Sequence, residues 1–240
     1  MLNVRNVSKS FQQNKESLDA IEDVSLDVKE GEFVAVVGPS GCGKTTLLKI
    51  IAGLVKPSSG STVSSGDEKK PKVGFVFQKP NLLEWRTVEE NVVLPLEISG
   101  KKKNVKKLLK LVDLQSFRGY IPEQLSGGMQ QRAAIARALA GNPEILLMDE
   151  PFSAIDDFGR EELNLALAKI WAKTGKTIVF VTHNIEEAIF LADRVVVLSE
   201  RPARVKEVIH VALARPRLAG IKHSQVFQGY VKWVKSVLKS

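Results

Sequence analysis

The sequence has few of the features that mark secreted, membrane-spanning or disulfide-stapled chains. It contains one cysteine, Cys42, so no internal disulfide can form. Its apolar runs fall well short of the roughly 20 residues that a membrane-spanning helix needs, and the first residues lead into a charged segment instead of a signal-peptide core. We therefore expect neither a transmembrane segment nor a secretion signal.

What is present is an ordinary globular composition with an uneven distribution of charge. Of the 240 residues, 44% are hydrophobic and 26% are charged, which is typical of a folded domain with a sizeable core. The 35 Lys and Arg and the 27 Asp and Glu give a formal net charge of +8. Residues 201–240 hold nine of these basic residues and a single acid, Glu207, so the excess belongs to the C-terminal tail.

Two segments of the chain are rich in lysine. Residues 226–238 carry apolar side chains at helical spacing with lysines off that stripe, which predicts a packed terminal helix. Contact of these lysines with anionic lipid is the alternative. Lys101, Lys102 and Lys103, with three more lysines up to residue 110, predict a solvated helix face, and nucleic-acid binding is the alternative there.

The apolar pattern alternates between strands and helices. Strand-like runs occur at residues 33–37, 73–77, 145–148, 177–182 and 195–198. Helical spacing is found at residues 47–54, from 87 to about 137, at about 160–173 and at 185–192. Because strands alternate with helices, the sequence predicts an α/β fold with a parallel sheet.

Residues 38–45 match the phosphate-loop pattern G-x-x-x-x-G-K-[ST] in full, between a predicted strand and a predicted helix. In such a loop, backbone N–H groups and the helix N-terminus face phosphate oxygens. Lys44 is expected to reach the β- and γ-phosphates, Thr45 to bind Mg²⁺, and Thr46 to add a phosphate contact. The other nucleotide-binding candidates are the remaining loop residues, Gly38, Pro39, Ser40, Gly41, Cys42 and Gly43. The alternative is a glycine-rich turn without a ligand.

Cys42 lies inside this loop, just before the predicted helix. A helix N-terminus can lower the pKa of a thiol, so we expect Cys42 to alkylate readily and to be protected by bound nucleotide. Equal labelling with and without ATP would contradict this expectation.

Two carboxylates, Asp149 and Glu150, follow the apolar run at residues 145–148. They therefore lie at the C-terminal end of a predicted strand, where open α/β sheets bind ligands. We expect Asp149 to join the Mg²⁺ shell and Glu150 to act as the general base towards the water that attacks the γ-phosphate. Without the phosphate loop, the pair would be interpreted as helix-capping or solvated loop residues.

Residues 125–132, LSGGMQQR, closely resemble the signature sequence of the ATP-binding cassette (ABC) ATPases. The other motifs that resemble this family are the phosphate loop, Gln78, Asp149-Glu150, Ser153-Ala154-Ile155-Asp156 and His183. The resemblance covers at least residues 1–200. It implies a P-loop NTPase (RecA-like) core with an antiparallel β subdomain and an inserted α-helical signature subdomain. Within this single ABC ATPase domain, the core and β subdomain are expected in residues 1–79 and 138–200, the helical subdomain in 80–137, and a basic C-terminal extension in 201–240.

The resemblance also implies a role for each motif residue. The expected catalytic residues are Glu150, His183, Lys44 and Gln78, and the expected Mg²⁺ ligands are Thr45, Gln78 and Asp149. Phe11 stands where the family stacks an aromatic ring on adenine, although core packing is the alternative for this side chain. In the family, two copies enclose two ATP molecules. The residues expected to reach the partner's nucleotide or phosphate loop are Ser126, Gly127, Gly128, Gln130 and Asp156.

The segments 82–92, 190–202 and 215–217 resemble the nitrate, sulfonate and taurine importers, a group that includes importers of thiamine-type pyrimidine precursors. This resemblance implies an ATP-hydrolysing importer subunit that uses ATP and Mg²⁺ at the cytoplasmic face of the cell membrane. The implied partners are transmembrane permease subunits, a second ATPase copy and, indirectly, a solute-binding protein, with no nucleic acid. The alternatives are a soluble ABC-type ATPase acting on nucleic acid or ribosomes, and a phosphate-loop kinase or GTPase. Asn184 departs from the Asp that many relatives have, but asparagine can still cap the next helix.

Overall fold

A computed structural model describes residues 2–13, 16–64, 71–101 and 104–240 and divides the chain into two compact units. The first unit comprises Met1–Pro71 and Thr177–Ser240, and the second comprises Lys72–Lys176. The subdomain boundaries expected from the sequence stay a prediction, because a division into compact units does not test them.

The described residues form strands and helices in alternation along most of the chain. The strands are β1 (Leu2–Gln13), β2 (Glu16–Val28), β3 (Phe33–Val37), β4 (Ser59–Ser64), β5 (Val73–Val76), β6 (Ile145–Asp149), β7 (Thr177–Val181), β8 (Arg194–Leu198) and β9 (Val205–His210). The helices are α1 (Lys44–Ile51), α2 (Val88–Ile98), α3 (Lys106–Leu111), α4 (Gly127–Ala140), α5 (Asp157–Thr174), α6 (Ile185–Leu191) and α7 (Gln225–Lys239). Short 3₁₀ helices occur at Gln115–Phe117, Pro122–Gln124 and Ala219–His223. Within the described ranges, none of the helices is long and apolar enough to cross the hydrocarbon core of a bilayer.

An antiparallel sheet with the order β2-β1-β4 forms part of the first unit. Strand β1 is irregular near Asn6, which has a φ of 46° and whose Nδ2 donates to Asp23 Oδ1 at 2.7 Å. Gly60 of β4 lies against β1 at Asn6 and has a φ of +81°. A Cβ atom on Gly60 would lie 2.3 Å from the Asn6 carbonyl oxygen. Only glycine therefore allows β4 to approach β1 here. This sheet is the antiparallel β element that the family resemblance implies.

A mostly parallel sheet forms a further part of the core of the first unit. Strand β3 lies between β7 and β8 and is parallel to both, and β9 adds an antiparallel edge beside β8. All five residues of β3 are buried, as expected for a central strand that is covered on both faces. Because β3 ends at Val37, the phosphate loop begins at the carboxyl edge of this sheet, where open α/β sheets bind ligands. The predicted α/β class is confirmed.

The second unit holds a parallel strand pair and most of the helices. Strands β5 and β6 run side by side, with Val73 opposite Ile145. The helical spacing predicted from residue 87 to about 137 corresponds to α2, α3 and α4, separated by turns. Helix α2 begins with a capping box: the Glu90 backbone N–H donates to the Thr87 hydroxyl, and the Thr87 N–H donates to the Glu90 carboxylate.

The terminal helix α7 is packed, as predicted, and belongs to the first unit. Phe227, Val231 and Val234 are buried, and the Ser224 hydroxyl caps the helix by accepting a hydrogen bond from the Phe227 N–H. Val226 belongs to the predicted apolar stripe, but 60% of its surface is exposed.

The predicted solvated lysine face is confirmed for α3. Lys106, Lys107 and Lys110 of this helix are exposed, and Lys101 is exposed before it. Lys102 and Lys103 lie outside the described residues, as does most of the segment between β4 and β5.

Candidate nucleotide-binding site

The phosphate loop connects β3 to α1 in the first unit. Gly41 and Gly43 have φ angles of +73° and +127°, which side-chain-bearing residues rarely adopt, and a Cβ atom on Gly43 would lie 2.7 Å from the Ala20 carbonyl oxygen. Helix α1 begins at Lys44 without a side-chain cap. Its first N–H groups therefore face the loop, which is the arrangement that binds phosphate at helix N-termini.

Lys44 is 4% exposed, and its ammonium group lies within the loop. Its Nζ donates to the carbonyl oxygens of Gly38 at 2.9 Å and Pro39 at 2.8 Å. A phosphate oxygen bound in the loop is a stronger acceptor for the Lys44 ammonium than these neutral carbonyls, because the phosphate is negatively charged. The loop thus holds the Lys44 ammonium where a bound phosphate can replace the two carbonyls as its hydrogen-bond acceptor. Thr45 and Thr46 follow in the first turn of α1.

The structure contradicts the lowered thiol pKa that the helix N-terminus predicted for Cys42. The thiol is only 2% exposed, and a Cβ atom built on Gly38 would lie 3.0 Å from its Sγ. Burial raises the pKa of Cys42, and the nearby charge of Lys44 offsets this effect only in part. The sequence placed Cys42 correctly before α1, but burial has a larger effect on its pKa than the helix N-terminus does.

We expect Cys42 to react slowly with iodoacetamide at neutral pH, because both access and the thiolate fraction are reduced. The rate should rise with pH and reach half its maximum above the ordinary thiol pKa, measured by mass spectrometry on the full chain. An unfolded sample in urea gives the reference rate. Labelling of the folded protein at the rate of the unfolded protein would contradict the burial of this thiol.

Arg201 contacts the phosphate loop from the segment after β8. Its guanidinium Nη2 donates to the Gly41 carbonyl oxygen. Arg201 is exposed, and with Glu200 it lines a surface pocket whose other wall is loop residues 39–42. Sequence reasoning treated the Arg201-Pro202 pair only as a subgroup resemblance, because nothing in the local pattern indicates contact with a loop 160 positions earlier.

His183 follows β7 in the first unit and is exposed. The next residue, Asn184, caps α6: its Oδ1 accepts hydrogen bonds from the N–H groups of Glu186 at 2.9 Å and Glu187 at 3.1 Å. The expectation that asparagine can cap this helix is therefore confirmed. The Thr182 hydroxyl also donates to the Glu187 carboxylate at 2.7 Å. The residues before and after His183 are therefore both hydrogen-bonded to α6, which stabilises the turn that contains His183.

Arg217 holds the other end of α6 and is 4% exposed. Its guanidinium donates to five backbone carbonyl oxygens of the first unit, those of Ile189, Phe190, Ala192, Val211 and Leu213. Burial lowers the pKa of Arg217 to about 10, so the group remains charged at neutral pH. Cationic donors at a helix C-terminus satisfy carbonyls that have no partner within the helix. Local sequence spacing does not indicate this role, because residues 215–217 are recognised only by their resemblance to the importer group.

Phe11 lies on β1 opposite Leu18 of β2, and 39% of its surface is exposed. Leu18 is 42% exposed, so the two side chains form an apolar patch. The Lys9 ammonium lies 5.0 Å from the centre of the Phe11 ring. This exposure argues against the alternative that Phe11 is a core residue.

Asp149 is the last residue of β6 and Glu150 follows it, in the second unit. Asp149 is 7% exposed, and Glu150 has a φ of 44°, an uncommon value for a residue with a side chain. Gln78, which follows β5, donates from its Nε2 to the Ser153 hydroxyl at 3.1 Å. The structure thus brings Gln78 to the same turn as Glu150.

The signature residues begin α4. Ser126 is exposed and is the N-cap, with its hydroxyl accepting a hydrogen bond from the Met129 N–H at 3.3 Å. Gly127 and Gly128 form the first turn, which contains no acidic residue, so the N-terminus of α4 favours an anion. The first turn borders a cavity of about 240 Å³ that Ile155 and Asp156 also line.

Asp156 and Gln130, which were also predicted to reach the partner's nucleotide or phosphate loop, make hydrogen bonds within their own chain. Asp156 is exposed and caps α5 by accepting a hydrogen bond from the Gly159 N–H at 2.9 Å. Gln130 donates from its Nε2 to the carbonyl oxygens of Pro122 at 2.9 Å and Leu125 at 3.3 Å. The amide nitrogen of Gln130 therefore binds the turn that precedes the signature.

The predicted site residues are divided between the two units. The first unit carries Phe11, the phosphate loop with Lys44, Thr45 and Thr46, and His183. The second unit carries Gln78, the signature residues 126–130, Asp149, Glu150 and Asp156.

A phosphate loop at the carboxyl edge of a parallel sheet, with a buried lysine inside it, is characteristic of the phosphate-loop NTPases of the α/β class. The comparison with family models then identifies the family. The model described as ABC transporter matches residues 21–153, more than half of the chain. The chain belongs to the ABC transporter family, as an ATP-binding protein that hydrolyses ATP. The family predicted from the signature sequence is confirmed.

Several curated relatives are similar over nearly the whole chain. An uncharacterized ABC transporter ATP-binding protein of Methanocaldococcus jannaschii is 49% identical over 99% of this chain and 91% of its own length. The aliphatic sulfonates import ATP-binding protein SsuB of Bacillus cereus is 43% identical over 95% of this chain and 91% of its own length. The taurine import ATP-binding protein TauB of a Jannaschia species is 44% identical over 89% of this chain and 83% of its own length.

Solved structures of ATP-binding cassettes share the fold. One, described as a dimeric post-hydrolysis state of a cassette bound to ADP and Pi, is 37% identical with a TM-score of 0.77. The match covers 89% of this chain and 100% of that chain. A second, described as a dimeric bacterial ABC transporter cassette, has a TM-score of 0.76 at the same identity. The predicted P-loop NTPase fold is confirmed.

Proposed function

We propose that this chain is the ATP-hydrolysing subunit of an importer for a small organic anion of the sulfonate or taurine class. The observation that carries the proposal is the similarity, at 43% and 44% identity, to relatives named for sulfonate and taurine import. Nitrate and pyrimidine vitamin precursors are the other solutes that the sequence resemblance allows. Family membership favours this function over an ATPase that acts on nucleic acid or ribosomes.

The phosphate loop would hold the ATP phosphates and Phe11 would stack on adenine. Lys44 would exchange its bonds to the Gly38 and Pro39 carbonyls for phosphate oxygens, supported by the uncapped N-terminus of α1. Phe11 supports the second contact, because its ring is exposed beside Leu18. Both groups lie in the first unit.

Mg²⁺ would be held by Thr45, Gln78 and Asp149. These side chains offer a hydroxyl, an amide oxygen and a carboxylate, the oxygen donors that Mg²⁺ prefers. The hydrogen bond from Gln78 Nε2 to Ser153 supports the fit, because it engages the amide nitrogen and not the oxygen. When bound, the metal would neutralise the charge that develops on the β- and γ-phosphate oxygens.

Glu150 would accept a proton from the attacking water, and His183 and Gln78 would position that water. Support comes from the hydrogen bonds through Ser153 that link Gln78 to the turn of Glu150, and from the hydrogen-bonded turn at His183. The incoming hydroxide oxygen would bond to the γ-phosphorus as the bond to the β,γ-bridging oxygen breaks, which leaves ADP and phosphate.

Two copies of the chain would enclose two ATP molecules, with the signature of one copy on the γ-phosphate held by the other. The exposed Ser126 and the anion-favouring N-terminus of α4 support this arrangement. So does the similarity to cassettes solved as dimers. Because both copies would use the same surface in the contact, the interface would be isologous.

Residues 80–100 would receive a helix of the transmembrane permease at the cytoplasmic face of the membrane. Trp85 and Ile98 are 78% and 80% exposed. Trp85 lies in a turn that the buried Asn91 fixes through bonds to Leu83 and Arg86. A rigid turn with an exposed aromatic side chain is typical of an interface anchor.

Purification of the tagged chain from its native membranes in mild detergent tests this function. We expect mass spectrometry to find a polytopic membrane protein in stoichiometric amount and no bound nucleic acid. A Trp85→Ala variant should recover less of that partner, whereas Leu218→Ala, which alters a 68% exposed side chain of the first unit, should recover the wild-type amount. Co-purification of nucleic acid or ribosomal protein without a membrane partner would contradict the importer.

A further inference from the structure

Ser153 connects Gln78 to the turn that carries Glu150, and none of the sequence motifs assigned it a role of its own. Its hydroxyl accepts a hydrogen bond from Gln78 Nε2 at 3.1 Å and donates to the Glu150 carbonyl oxygen at 3.0 Å. The Ser153 backbone N–H donates to the same carbonyl oxygen at 3.2 Å. All three residues belong to the second unit.

The direction of these hydrogen bonds determines the orientation of the Gln78 amide. A serine hydroxyl has one hydrogen, and a backbone carbonyl can only accept. Because the Ser153 hydrogen is directed at the Glu150 carbonyl, the hydroxyl can only accept from Gln78. The Gln78 amide must therefore turn its NH₂ group towards Ser153 and its oxygen away from it. With the amide reversed, two oxygens would face each other without a hydrogen between them.

Ser153 also stabilises the backbone at Glu150. The φ of 44° at Glu150 lies in the left-handed region, which residues with a side chain adopt only when their surroundings hold them there. Ser153 supplies two donors to the Glu150 carbonyl, one from its backbone and one from its side chain. Only the second would be lost on replacement by alanine.

We propose that Ser153 is a positioning residue that directs the Gln78 amide oxygen towards Mg²⁺ and holds the turn of Glu150. The inference rests on the function proposed above for Gln78. An oxygen is a ligand for Mg²⁺, whereas an amide NH₂ group is not. Partners that orient a metal ligand typically change metal affinity or activity by 10–100-fold when they are removed.

The test is the Mg²⁺ requirement of nucleotide binding, which does not depend on turnover. Binding of a fluorescent ATP analogue to the full chain is titrated with Mg²⁺. For Ser153→Ala we expect the Mg²⁺ concentration at half-saturation to rise about tenfold. Binding without Mg²⁺ should stay at the wild-type level, because Lys44 and Phe11 are untouched. Ser153→Thr keeps the hydroxyl and should restore the wild-type requirement.

Ser99→Ala is the matched control. The Ser99 hydroxyl donates only to carbonyls in the last turn of α2 in the same unit, so its loss should leave the Mg²⁺ requirement unchanged. The circular dichroism spectrum and melting temperature of each variant establish that it is folded. If Ser153→Ala melts at a lower temperature than wild type, the Mg²⁺ requirement of Ser153→Thr is compared instead with those of wild type and Gln78→Ala. We expect it to match wild type and to be lower than that of Gln78→Ala.

A double-mutant cycle with Gln78→Ala separates the two proposals. We expect Gln78→Ala and the double variant Gln78→Ala/Ser153→Ala to need the same raised Mg²⁺ concentration, because Ser153 acts through Gln78. If Gln78→Ala raises the requirement and Ser153→Ala does not, the positioning role is overturned and the metal role of Gln78 stands. If Gln78→Ala leaves the requirement unchanged, Gln78 is not a metal ligand and both proposals for this turn fail.

Discussion

Replacement of Glu150 by glutamine is expected to lower kcat for ATP hydrolysis by about 10²–10⁴-fold, the usual contribution of a general base. Glutamine keeps the size and hydrogen-bonding reach of the side chain but cannot accept the proton of the attacking water. The KM for ATP should change little, because the phosphate-binding groups Lys44 and the α1 N-terminus lie in the other unit. Release of inorganic phosphate from the purified chain under saturating Mg-ATP measures the effect.

Glu144→Gln is the control for this prediction. Glu144 is an exposed carboxylate directly before the first residue of β6, whereas Glu150 follows the last residue of the same strand. Loss of the exposed charge should leave kcat at the wild-type value. A kcat for the Glu150→Gln variant within a few-fold of the wild-type value would mean that another group removes the proton from the attacking water.

Replacement of Arg217 by alanine is expected to lower the free energy of unfolding by about 3–5 kcal/mol, a large effect of the kind that follows the loss of a buried hydrogen-bond network. Five backbone carbonyl oxygens lose their donor, and a buried acceptor without a partner costs about 1–3 kcal/mol. For a chain of this size, such a loss lowers the melting temperature by roughly 10 °C. Thermal unfolding followed by circular dichroism gives the value.

Arg204→Ala is the matched control from the same C-terminal segment. The Arg204 side chain is 62% exposed and pairs with Glu22, which is 44% exposed, and such surface pairs contribute about 0–1 kcal/mol. Arg217→Lys should fall between wild type and Arg217→Ala, because a single ammonium group cannot reach five acceptors. Equal melting temperatures for Arg217→Ala and Arg204→Ala would refute the role of Arg217 in holding α6.

The central strands could be predicted because each is a contiguous apolar run bounded by turn residues. The expected run at 33–37 is β3 (Phe33–Val37), and the expected run at 177–182 is β7 (Thr177–Val181). The phosphate loop could be predicted for a similar reason, since all its residues are consecutive. Local spacing therefore determines both the strand positions and the motif that follows the first of them.

Features that depend on contacts across the fold could not be predicted. The low exposure of Cys42 results from the path of the loop around its thiol, which sequence spacing does not reveal. Arg217 and Arg201 lie in a tail that looks uniformly solvated by composition, yet one is buried and the other contacts the phosphate loop. The role of Ser153 follows only from the geometry of its hydrogen bonds with Gln78 and Glu150, because the motif at residues 153–156 does not indicate which side chains its serine contacts.

The claim that two copies of this chain enclose ATP is tested most directly by the mass of the Glu150→Gln variant in sedimentation equilibrium. Because this variant should bind Mg-ATP without hydrolysing it, we expect twice the chain mass of 26.4 kDa with Mg-ATP and the single mass with Mg-ADP. Addition of Ser126→Arg should return the mass with Mg-ATP to that of one chain, while ATP still binds. A single-chain mass for the Glu150→Gln variant saturated with Mg-ATP would contradict the enclosure of nucleotide between two copies.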